Sequence, residues 1–228
     1  MLHVEFVQSS NFAPAGGSLL LPFLAETRPV VKDNRREARV WLFALADPVA
    51  AGMAAETAAQ AGPSGGSAIQ ILAQGFHAAP MHQPLGATVD QIMQDAAQFS
   101  GGKQALVVCA LCFDRAVVAH NGDACCYLVR HNHATRLTLG NVQLIDYQIQ
   151  PGDVLLLSGE PLQSVKGSEM AELAGRGVDL NEAAGKILDL VQQRGEHSRM
   201  SVVMIRVLAV ERSSHGRALT PRARVQAG

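Results

Sequence analysis

Residues 106–130 constrain the fold of this chain more than any other stretch, because short apolar runs alternate there with two-residue turns. In "LVVCALCFDRAVVAHNGDACCYLVR", residues 106–113 read as a strand and Asp114-Arg115 as a turn. Residues 117–121 form a second strand, Gly122-Asp123 a second turn, and residues 125–130 a third strand. The "HNH" turn at His131 leads into a last strand through Leu139. Turn chemistry at this spacing predicts an antiparallel meander.

The flanking segments follow the same logic. Residues 2–7 and "SLLLPFLA" from Ser18 read as strands, the second with Pro22 marking an edge or a bulge. "KDNRREAR" from Lys32 is expected to be a solvated hairpin loop, after which residues 40–46 resume as a buried strand. Residues 49–61 are alanine-rich and read as a helix stopped by "GPSGGS". That glycine-rich stretch lacks the Gly-Lys-Ser/Thr ending of a phosphate-binding loop. It reads as a linker, with Ser67 capping the next helix. Helical spacing returns at residues 68–76 and 88–99, with a Pro- and Gly-containing loop between them. "PGD" at Pro151 is a turn feeding the buried strand "VLLLS", and two helices follow. The second helix starts at Asp179 with Glu182 three residues on, and it ends at Gly195. "SVVMIRVLAV" from Ser201 is a final buried strand. Strands, helices, strands, helices and a strand in that order predict one α+β domain in packed layers over residues 1–209. Residues 210–228 are expected to be a basic, disordered tail.

Composition narrows the function. With 228 residues, 48% of them hydrophobic, the chain can bury a sizeable core. A net charge of -1 gives no bulk attraction to nucleic acid or acidic membranes, and 4% aromatics argues against a base-stacking surface. No apolar run approaches the roughly 18 to 20 residues that span a bilayer, and "MLHVEFVQSS" has no secretory pattern, so a cytoplasmic protein is expected. Cys109 and Cys112 are three apart on a strand and Cys125 and Cys126 are adjacent, so each pair points to opposite faces. All four are expected to be reduced core thiols.

"ALVVCALCFDRAVVAHNGDACCYLVRHNHATRLT" resembles the central hairpins of the metal-dependent protein phosphatases of the PPM, or type 2C, family. "HNGDACCYLVR" keeps Gly122, Asp123, Tyr127 and Leu128 of an Asn-x-Gly-Asp-Ser-Arg-x-Tyr-Leu pattern. "IQPGDVLLLSGEPLQSV" is similar to the family's Pro-Gly-Asp, strand, Ser-Asp-Gly-Leu segment. "LNEAAGKILDLVQQRGEHSRMSVVMIRV" resembles its closing helix, Asp-Asn turn and last strand, and "WLFALADPVAAGMAAETA" the strand and helix around its Asp-Gly-x-Gly-Gly motif. The resemblance implies a four-layer α-β-β-α sandwich with two antiparallel sheets. It also implies a site at one end of them, where two Mg²⁺ or Mn²⁺ ions activate a water against a phosphoserine or phosphothreonine. Hard cations held that close need several carboxylates.

The ligand positions depart from that pattern. At the early Asn-Glu-Asp motif Asn11 survives, but Phe12 and Ala13 replace both acids. Asp47 keeps its place and is followed by Pro48 instead of glycine. Gly159 replaces the aspartate of Ser-Asp-Gly, and Ser198-Arg199 replaces Asp-Asn. "GGKQA" stands where Gly-Thr-Thr is expected, and the segment before "PGD" is short, leaving little room for a flap. Asp123 lies where the family sometimes recruits an additional metal, though Gly-Asp also suits a turn. The expectation is a site with no catalytic residue and no resident cofactor, in a pseudophosphatase that binds a protein partner such as a phosphoprotein or a kinase. A rebuilt single-metal site from Asp47, Glu160 and His197, with Asp123 or His120 nearby, is the alternative and would suit Mn²⁺, Fe²⁺ or Zn²⁺. An active phosphatase using Mn²⁺ or Mg²⁺ with an atypical ligand set is the other functional class. Arg199 carries a further hypothesis, that a guanidinium in a metal's place holds phosphate without hydrolysing it.

Overall fold

The computed structural model describes residues 2–10, 23–32, 36–48, 64–100, 104–139, 144–175, 177–195 and 200–210. Ten strands and four helices lie among them. They run β1 (His3–Ser10), β2 (Phe23–Lys32), β3 (Arg36–Pro48), α1 (Ser64–Ala78), α2 (Leu85–Phe99), β4 (Gln104–Cys112) and β5 (Arg115–Asn121). Then come β6 (Cys125–Arg130), β7 (His133–Arg136), β8 (Leu144–Gln148), β9 (Val154–Ser158), α3 (Gly167–Leu173), α4 (Leu180–Gln193) and β10 (Ser201–Ala209). One five-stranded sheet has the order β1-β10-β9-β6-β7 and the other β2-β3-β4-β5-β8, with antiparallel neighbours throughout.

Three apolar layers explain why the central strands read as unbroken hydrophobic runs. On β4, Leu106, Val108 and Ala110 pack toward α1 and α2, alongside Leu72, Phe76, Val89 and Ile92. Val107, Cys109 and Leu111 face the other sheet and meet Leu155, Leu157, Val203 and Ile205. On β9, Val154 and Leu156 face α3 and α4, with Ala184, Ile187, Leu188 and Val191 of α4 against them. An antiparallel sheet normally alternates apolar with polar residues, but covering both faces removes the polar half of the pattern. This is the expected α-β-β-α sandwich. At the start of α4, the Asp179 side chain accepts a hydrogen bond from the Glu182 amide at 2.9 Å, and the left-handed Gly195 (φ 84) follows its C-cap.

Several expectations are corrected. The central segment is not one meander: β5 pairs with β4 and β8, whereas β6 pairs with β7 and β9, so the Gly122-Asp123 turn carries the chain from one sheet to the other. Turn chemistry fixes where a strand stops but not which sheet receives the next one. The first turn falls at Phe113-Asp114, with Phe113 at φ 55 and Arg115 already in β5. The polar stretch from Lys32 is mostly strand, because β2 and β3 pair out to Lys32 and Arg36. Ser67 lies inside α1, which starts at Ser64; first-turn amides need no intrahelical acceptor, so glycines there are tolerated. β7 stops at Arg136, before Leu139. β8 was not expected, since "LIDYQ" mixes apolar and polar residues at a sheet edge. Residues 49–61 and 211–228 lie outside the described residues, as do 11–22, which hold the first half of the strand expected from Ser18; its apolar pattern resumes in β2.

All four cysteines are free and buried, with Cys109 and Cys112 on opposite faces of β4, and Cys125 and Cys126 on opposite faces of β6. Burial pushes the Cys109 and Cys126 thiols well above their ordinary range, so they act as packing groups and not as nucleophiles.

The inter-sheet layer is one of three buried apolar layers that stabilise the fold. Leu155→Ala, at a fully buried position within it, should cost about 2–5 kcal/mol in chemical denaturation. Leu208→Ala, at a side chain 53% exposed on β10, should stay within about 0.5 kcal/mol of the parent.

Candidate functional site

Strand register gathers the expected site positions at one end of the sandwich. In the second sheet Asp47 pairs with Ala105, Pro48 with Gln104, and Leu106 with Asn121. In the first sheet Ser10 pairs with Ser201, and Ser158 pairs with both Val202 and Cys125. The ends of β1, β3, β5 and β9 and the starts of β4, β6 and β10 therefore share one rim. The Gly122-Asp123 turn bridges the two sheets across it.

Gly122 adopts φ +64, and a Cβ there would stand 3.5 Å from the Ala105 Cα, so the turn seats directly on the strand that pairs with Asp47. Asp123 is exposed, and its backbone carbonyl accepts from the Cys125 thiol at 3.0 Å. His120 lies one residue before β5 ends and is half-buried. Asp47 and Pro48 are the last two residues of β3.

Gly159 immediately follows β9 and is buried; Glu160 beside it is half-buried. The segment is tied down from β6: the Tyr127 hydroxyl accepts a hydrogen bond from the Leu162 amide at 2.9 Å in a buried setting. Burial, reinforced by the nearby Cys125, pushes the Tyr127 phenol up to about 12, so it stays neutral across the physiological range. Ser158 and Ser201 are fully buried at the same rim, and their hydroxyls have no hydrogen-bond partner among the described residues.

The described portion of the rim thus brings together the strand end carrying Asp47, the turn carrying Asp123, and the Gly159-Glu160 corner. Asn11, Ala13, His197, Ser198 and Arg199 lie outside the described residues; the chain leaves β1 at Ser10 and enters β10 at Ser201 at this rim. Among the described residues no group of three or more His, Cys, Asp and Glu is placed to hold a metal ion. The histidines of the "HNH" turn, His131 and His133, are exposed at the opposite end of the sandwich. Sequence reading kept Tyr127 as a motif residue without its anchoring bond, because nothing local shows that its hydroxyl reaches a backbone amide 35 residues away.

Solved structures with this architecture include bacterial serine/threonine phosphatases. The Streptococcus agalactiae (S. agalactiae) serine/threonine phosphatase superposes with a TM-score of 0.59 at 12% identity, covering 90% of this chain and 100% of that one. The Mycobacterium tuberculosis serine/threonine phosphatase PstP/Ppp gives a TM-score of 0.58 at 13% identity, over 91% of this chain and 100% of that one. The PP2C phosphatase domain of the cell fate determinant SpoIIE from Bacillus subtilis, with a fragment of its regulatory domain, gives 0.60 at 14%, over 91% of this chain and 62% of that one. No protein-family model matches the chain, and no curated protein matches it in sequence. The fold is that of the PP2C-type phosphatases, as the sequence resemblance implied.

Tyr127→Phe removes the acceptor for a buried amide. It should destabilise the domain by about 1–3 kcal/mol and speed hydrogen exchange at the Leu162 amide selectively, which amide-exchange NMR would detect. Unchanged exchange at Leu162 would mean that the hydroxyl does not hold this corner.

Proposed function

We propose that this chain is a phosphatase-like domain that has lost metal-dependent hydrolysis and acts by binding a protein partner, in a regulatory role in signalling. The observation that carries the reading is Gly159. It occupies the corner after β9 where the resemblance expects a ligand aspartate, and it is buried without a side chain. The donor set does not fit a pair of hard dications. Ala13, Gly159 and Ser198-Arg199 supply no carboxylate at three separated ligand positions, which leaves Asp47 alone in register.

A domain of this kind has the shape of a phosphoserine/phosphothreonine phosphatase without its activated water. A phosphoprotein held and not hydrolysed, or a kinase held at the same surface, is the partner this chemistry suits. The cytoplasm, where such partners occur, is the compartment this reading assigns; no helix among the described residues is long and apolar enough to cross a membrane.

A second reading, an active Mn²⁺- or Mg²⁺-dependent phosphatase with an atypical ligand set, draws on one observation. The strand end carrying Asp47, the Asp123 turn and the Glu160 corner share the same rim. Hydrolysis of a phosphoserine peptide with and without Mn²⁺ separates the two. The proposal expects release of phosphate at the protein-free rate in both conditions. Turnover that requires Mn²⁺ and falls on Asp47→Ala would establish the second reading instead.

A further inference from the structure

We draw no further inference here: the strongest candidate, the aromatic edge of the inter-sheet layer where the exposed Phe6 of β1 meets the rings of Phe23 on β2 and Trp41 on β3, is an unpartnered apolar face, and nothing among the described residues shows what covers it.

Discussion

The layer between the two sheets is the contact on which everything else in this protein depends. Phe43, Leu45, Val107, Cys109 and Leu111 on one side meet Cys126, Leu128, Leu155, Leu157, Val203 and Ile205 on the other. Burying a side chain of this kind contributes roughly 1.5–3 kcal/mol, so the layer supplies much of what opposes chain entropy. It also sets geometry. Once those residues interlock, the ends of β1, β3, β5 and β9 are brought to one rim, whatever residues stand there. A scaffold of this type keeps its site-forming corners even when their chemistry changes.

That separation explains how a chain can keep a phosphatase architecture at 12–14% identity to the solved structures described above. What the fold requires is apolar residues on both faces of the central strands, a Gly at the Gly122 crossover and an anchor such as Tyr127 for the corner after β9. None of these requirements involves a metal ligand. A glycine at position 159, immediately after β9, leaves the inter-sheet layer untouched.

Much of the fold was legible in the sequence because the physics there is local. Gly122-Asp123, Pro151-Gly152-Asp153, and Asp179 with Glu182 each carry turn or cap chemistry, and the structure has a turn or helix start at each. The double-sided burial of β4 and β9 shows as unbroken apolar runs. Partner choice was not legible: nothing between Asn121 and Cys125 says that the chain changes sheets, and the edge strand β8 lacks a strong pattern. At the site, the rim positions Asp47, Asp123, Gly159 and Glu160 were legible through motif order. The Tyr127–Leu162 bond was not, because it joins residues 35 apart in the chain.

The central claim is that the rim keeps its shape without the carboxylates that hold a dication pair. Calorimetric titration of the metal-free protein with Mn²⁺, alongside Asp47→Ala, tests it directly. The account predicts no saturable heat in either protein, or a weak heat that the substitution leaves unchanged. Stoichiometric binding lost in Asp47→Ala would contradict it and return a metal centre to this rim.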